Sequence, residues 1–105
     1  MSLVPIFKGL SDPVRLRIAH LLAQKKELCV CHITDALSLP QSTVSRHLNT
    51  LKSCGLVVAE RRGKWVYYNM TRTDEVTAIA DMITNSAVSD QMLQADLANL
   101  KESTC

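Results

Sequence analysis

The chain has 105 residues, 47% hydrophobic and 21% charged, with a net charge of +2. That is one domain's length with enough apolar material for a small core, which excludes a disordered chain; without an apolar run of about 18 residues, a helical membrane span is excluded too. Met1-Ser2-Leu3-Val4-Pro5 lacks the basic and long apolar regions of a secretion signal, so a cytoplasmic protein is expected, with its four cysteines as reduced thiols rather than a disulfide framework.

Ile6, Phe7 and Leu10 predict a short first helix. Asp12-Pro13 joins a favoured N-cap to a proline at the first helical position, and Val14, Ile18, Leu21 and Leu22 carry a second helix to about Gln24. Lys25-Lys26-Glu27 reads as a polar turn. A short third helix is expected from Cys31 to Leu37, with Ile33 and Leu37 inward. Ser38-Leu39-Pro40 breaks the chain and opens a fourth helix, whose Val44, Leu48 and Leu51 form a core stripe at i, i+4 and i+7 before Gly55 ends it. Ser42, Arg46, Asn49, Thr50 and Ser53 project to the opposite face, flanked by Thr43 and Ser45. Leu56–Arg61 and Lys64–Met70 read as two strands of a hairpin joined around Arg62-Gly63. Thr73-Asp74 caps a long last helix with Val76, Ile79, Ala80, Ile83, Ala87, Leu93, Leu97 and Leu100 in phase, open to interruption at Asn85-Ser86 or Ser89-Asp90.

The order ααααββα describes a mainly α chain with a small β-hairpin, a winged helix-turn-helix in which residues 1–105 form a single DNA-binding domain. The charges agree with it. Residues 41–72 carry six cations against Glu60 alone, and residues 73–105 carry six acids against Lys101 alone, so the middle of the chain is the part suited to a polyanion. The last helix, with the tail about residues 72–105, has more apolar surface than one small domain covers. Together with the first helix it is expected to form a homodimer interface.

Two features carry chemistry. Gln41, Ser42, Thr43, Ser45, Arg46 and His47 lie along the expected recognition helix, where Arg46 suits guanine or a phosphate and the hydroxyls suit base edges or phosphates. Gln41 either reads adenine or faces solvent; His47, near the core stripe, either touches a base or orients the helix. Arg61, Arg62 and Lys64 at the hairpin tip suit phosphates or a minor groove. Upstream of this helix lies Glu27-Leu28-Cys29-Val30-Cys31-His32, its Cys31 ten residues before Gln41, and two thiolates one residue apart can hold a soft ion. Side chains at i and i+2 of a regular helix point about 200° apart, so a Cys29–Cys31 chelate is expected to unwind the start of the third helix and tilt the recognition helix packed against it. His32 offers a nitrogen, with a solvent-facing ring as the plainer reading.

The segments Leu10–Ile18, Glu27–Cys31, Ser42–Leu48, Leu51–Val57 and Arg62–Tyr68 together resemble the ArsR/SmtB family of small metal- and metalloid-responsive repressors, in the arsenic-responsive branch. The resemblance implies a dimeric repressor of double-stranded operator DNA, without a permanent cofactor, released when arsenite or antimonite binds Cys29 and Cys31. Some arsenic-responsive relatives place a third cysteine where this chain has Thr34, leaving Cys54 or Cys105 as candidate third ligands. Cadmium, lead or zinc sensing through this box usually calls for further N-terminal cysteines, which are absent. The family's Asp/His zinc site on the last helix also lacks its histidines here, although Asp81 and Asp90 are present. A thiol-redox or persulfide-responsive repressor of the same fold and a winged-helix protein-interaction module remain as alternatives. An enzyme is not expected, for there is no phosphate loop or nucleophile motif, and His20, His32 and His47 fall on separate elements.

Overall fold

A computed structural model describes residues 3–101. In chain order the elements are α1 (Leu3–Leu10), α2 (Pro13–Gln24), β1 (Leu28–Cys29), α3 (Val30–Leu37), α4 (Gln41–Ser53), β2 (Val57–Arg62), β3 (Trp65–Met70), α5 (Asp74–Ala87) and α6 (Gln91–Lys101). Local chemistry sets the helix starts. The Asp12 carboxylate accepts the N–H groups of Val14 at 2.8 Å and Arg15 at 3.1 Å, and these bonds, that from Arg15 foremost, hold its carboxyl below the usual range. The Thr73 hydroxyl accepts from Val76 N–H at 3.2 Å and opens α5 in the same way. The hairpin turns at Gly63-Lys64, one residue later than expected, with Gly63 at a φ of +63° that side-chain-bearing residues rarely adopt.

The expected α4 stripe is the middle of the core: Val44, Leu48 and Leu51 are fully buried against Ile18 and Leu21 of α2, Ile33 of α3, and Leu56 and Val57 at the start of β2. Gly9 lets α1 come close to α4, because a Cβ there would stand 2.7 Å from Cys54 Sγ. The Arg15 guanidinium fastens the same corner, donating to Gly9 O at 2.6 Å and lying 3.3 Å from His47 Nδ1.

The winged helix-turn-helix is as expected, but the order ααααββα omits one strand, and the last helix takes the interruption allowed at Ser89-Asp90. Leu28-Cys29 forms a third strand, so the hairpin is part of an antiparallel sheet of order β1-β3-β2, with Leu28 opposite Tyr68 and Cys29 opposite Tyr67. Two residues show no periodicity, and the partner strand lies some forty residues away, so local sequence carries no mark of this pairing. The last helix is also two helices. It breaks at residues 88–90, where Asp90 Oδ1 accepts Leu93 N–H at 3.0 Å and Gln94 Nε2 donates to Ala87 O at 2.8 Å.

After that break α6 folds back over α3 and α2 of its own chain. Leu93 and Leu100 are buried, Leu97 packs against the core, and Asp96 is only 2% exposed. Arg17 clamps Asp96 through Nε and Nη2, both at 2.9 Å, which raises the guanidinium's already high pKa further. Asn99 Nδ2 reaches Ala36 O at 3.4 Å. Much of the apolar stripe expected at a dimer interface therefore serves the protomer's own core. The large apolar groups left exposed are chiefly Leu3, Val4 and Phe7 of α1, Leu16, Met82, Val88 and Met92, together with Val58 and Trp65 on the hairpin.

Asp96→Ala strands the Arg17 cation beneath α6. Because Arg17 keeps 20% of its side chain exposed, the expected loss of unfolding free energy in urea is about 2–3 kcal/mol, below the range for a fully buried pair. A loss under about 0.5 kcal/mol, the size of an ordinary surface substitution, would show that the pair does not hold α6.

Candidate functional site

The outer face of α4 offers hydrogen-bonding groups and a cation without acids. Gln41, Ser42 and Arg46 are exposed and Thr43 and Ser45 half-buried. Pro40 at the N-cap gives α4 no side-chain cap, a helix start suited to a phosphate. The Arg46 guanidinium makes no hydrogen bond or ion pair among the described residues; Thr50 Oγ1 donates to the Arg46 carbonyl at 3.3 Å. His47 is 7% exposed, with its Nδ1 3.3 Å from Arg15 Nη1 on the core side of α4.

The three hairpin cations are not equivalent. Arg61 makes one bond, from Nε to Gly63 O at 3.3 Å, and Lys64 Nζ stands 5.9 Å from the Trp65 ring centroid. Arg62 is heavily engaged. Nη1 and Nη2 grip both oxygens of Glu27 at 2.7 and 2.6 Å, Nε donates to Glu60 at 2.8 Å, and the guanidinium sits 4.7 Å above the Tyr67 ring. Its hydrogen bonds hold the Glu27 and Glu60 carboxyls below their usual range, and the two carboxylates raise the guanidinium in turn.

The thiol box straddles an element boundary. Cys29 ends β1 and is also the N-cap of α3, with extended backbone at φ −89° and ψ 166°, while Cys31 and His32 fall in the first turn of α3. Extended backbone at the cap lets the two sulfurs converge to 3.2 Å with α3 intact. The expected unwinding of α3 by a chelate is thus unnecessary, since Cys29 lies outside the helix. His32 Nδ1 lies 3.1 Å from Cys29 Sγ and accepts Cys29 N–H at 3.3 Å, as the fourth residue of a capping box does. Cys29 Sγ, Cys31 Sγ and His32 Nδ1 all lie within 4.8 Å of one another.

Cys29 is a buried free thiol, whereas Cys31 is disulfide-bonded, a departure from the four reduced thiols expected. Cys54 is not part of this cluster. Its Sγ donates to Leu51 O at 3.2 Å and packs against Gly9. Cys105 lies outside the described residues. Sequence reasoning passed over Glu27 as a turn residue, yet it ties the segment ahead of the thiols to the wing. An acid two residues before Cys29 and a cation at the hairpin tip were the available signal, but their pairing needs the β1–β3 register.

A family model for bacterial regulatory proteins of the arsR family matches residues 12–58, from the cap of α2 into β2. Over 104 residues the chain is 36% identical to the arsenical resistance operon repressor of Escherichia coli K12, covering 97% of this chain and 87% of that one. It is 46% identical over 67 residues to the cadmium resistance transcriptional regulatory protein CadC of Listeria innocua, covering 64% of this chain and 56% of the relative. Among solved structures, it superposes on the homodimeric winged helix-turn-helix DNA-binding domain of a possible ArsR-family transcriptional regulator from Mycobacterium bovis with a TM-score of 0.71. That match has 33% identity and covers 89% of this chain and 82% of that one.

The unequal commitments of the cations can be read in solution. Binding to a duplex spanning the chain's own promoter region should weaken steeply with salt, and Arg46→Ala and Arg61→Ala should each reduce the log–log slope by about 0.9 per protomer, or about 1.8 for a dimer. Arg62→Ala should leave the slope near that of the unsubstituted chain, because its charge already faces Glu27 and Glu60. Equal flattening by all three substitutions would contradict this division.

Proposed function

The chain belongs to the arsR family of bacterial regulatory proteins, and from that premise we propose a cytoplasmic transcriptional repressor that releases operator DNA when arsenite or antimonite is bound by Cys29 and Cys31. The observation that carries this reading is the 3.2 Å approach of the two sulfurs at a cap whose strand is paired with the wing. Each bond from arsenic to sulfur forms as a thiol displaces a hydroxide of arsenite and water leaves. Two adjacent thiols add the advantage of a chelate.

DNA contact falls to Gln41, Ser42, Thr43, Ser45 and Arg46 in one groove, with Arg61 and Lys64 on flanking phosphates. The family's twofold operators call for a homodimer. The exposed Leu3, Val4, Phe7, Leu16, Met82, Val88 and Met92 supply apolar groups for its interface, drawn from α1, α2, α5, the α5–α6 link and the start of α6. Release travels by the sheet. Closing a chelate ring turns the Cys29 backbone, and that residue faces Tyr67, whose ring supports Arg62. The Glu27–Arg62 pair adds a second link between the thiol segment and the wing.

Operator affinity measured with and without arsenite tests the reading. The reduced chain should lose affinity by at least about tenfold when arsenite is added, within the span of ordinary allosteric couplings. Cys29→Ser and Cys31→Ser should bind DNA normally and keep that affinity in arsenite; full release of both variants would overturn the assignment. Glu27→Gln should bind arsenite and DNA within about threefold of the parent yet show a smaller release, because coupling carried by one contact is commonly worth 0.5–2 kcal/mol. An unchanged release ratio would remove the Glu27–Arg62 pair from the path.

A thiol-redox trigger is the second reading, favoured by the disulfide-bonded state of Cys31. Peroxide or polysulfide acting at lower concentration than arsenite would select it.

A further inference from the structure

We infer that Arg15 is a positioning residue for operator reading, whose guanidinium ties the rotation of the recognition helix α4 to the placement of α1. The inference rests on the proposed repressor reading and adds a determinant of specificity that touches no DNA. Half-buried Arg15 lies in the first turn of α2, where Asp12 accepts its N–H at 3.1 Å. Its Nε donates to Gly9 O in the last turn of α1 at 2.6 Å, and its Nη1 stands 3.3 Å from His47 Nδ1 in the middle of α4. One planar group thus spans three helices. A guanidinium can only donate, so His47 Nδ1 is the acceptor and the ring proton sits on Nε2.

The rest of the inner face of α4 is apolar, with Val44, Leu48 and Leu51 fully buried. Apolar contact is non-directional, so it fixes the depth of a helix better than its rotation. The Arg15–His47 bond has a direction, and it closes on a ring that is 7% exposed. His47 follows Arg46 in sequence, so seating the imidazole sets the bearing of the arginine about 100° round the helix. A turn of about 20° moves side-chain ends, roughly 6 Å from the helix axis, by about 2 Å. That exceeds what a bidentate base contact tolerates.

The other end of this link reaches the surface offered to a second copy. Gly9 belongs to α1, whose Leu3, Val4 and Phe7 are exposed, and it also approaches Cys54 Sγ at the C-cap of α4. Thus α1 holds α4 at two places, through Arg15 in the middle and directly at the end, and the seat of the partner is passed to the reading face. Half-sites about 34 Å apart are read together only when both faces keep that placement. Attraction to phosphates makes no such demand.

Affinity for a duplex spanning the chain's own promoter region, set beside a scrambled duplex of equal length, tests the assignment, with sedimentation to follow the dimer. Arg15→Met keeps the apolar stem and removes both bonds; His47→Leu keeps the buried bulk and removes the acceptor. Each should weaken the promoter duplex at least about tenfold, leave the scrambled duplex within about threefold, and leave the salt slope unchanged. The double variant should lose no more than about what Arg15→Met loses alone. His47→Asn, whose Oδ1 can stand where Nδ1 does, should return promoter affinity to within about threefold of the unsubstituted chain. Equal losses on both duplexes, losses that multiply in the double variant, a reduced salt slope or dissociation of the dimer would each overturn the assignment. Should Arg15→Met fail to fold, the comparison at His47 decides, and equal promoter affinities of His47→Leu and His47→Asn would overturn it. An unsubstituted chain that binds both duplexes equally would overturn the repressor reading as well, whereas full discrimination kept by Arg15→Met would overturn this inference alone.

Discussion

Cys29 belongs to two elements at once, and the behaviour of the rest of the chain follows from that double membership. Its backbone pairs with Tyr67 at the centre of the sheet, while the same residue caps α3. The strand holds it extended, the extended cap turns its sulfur back toward Cys31, and the capping box brings in His32. Any bond formed at that sulfur acts on a residue that strand and helix both need in place. A side chain on a free surface loop would transmit nothing.

Two structures fix the frame against which that residue moves. Behind the thiols, α6 lies over α3, held by Arg17 on Asp96 and by Asn99 on the Ala36 carbonyl. Ahead of them, Arg62 joins Glu27 to Glu60 and covers Tyr67. In the proposed mechanism, with the far end of α3 pinned and the wing tethered, a small displacement at the cap would be directed into the sheet. The recognition helix sits on the most deeply buried side of the same core, through Val44, Leu48 and Leu51, so it resists tilting more than the wing does.

Much of this frame was legible in the residues. Asp12-Pro13, Thr73-Asp74 and the Val44–Leu48–Leu51 stripe are local signals, and each produced its element within a residue or two. The losses have physical causes. Pairing of β1 is non-local and too short for any period. The charge sum over residues 41–72 counts Arg62 the same whether it is open to DNA or held by Glu27, so composition assigned it to DNA. The return of α6 left one trace: Asp96 falls three residues after Leu93 and four before Leu100, an acid in an apolar stripe, and such an acid calls for a buried cation. His32 was judged from a helix start placed at Cys31. With Cys29 as the cap, the same histidine occupies the fourth position of a capping box, and its convergence on the sulfur follows.

The central claim is that the thiol box signals through β3 and the wing before it disturbs the recognition helix. Amide hydrogen exchange on the reduced chain without DNA, before and after arsenite, tests this most directly. Exchange should rise across residues 65–70 while residues 44–51 of α4 stay protected. Faster exchange in α4 with β3 unchanged would contradict the claim and return the signal to the helix–helix contact.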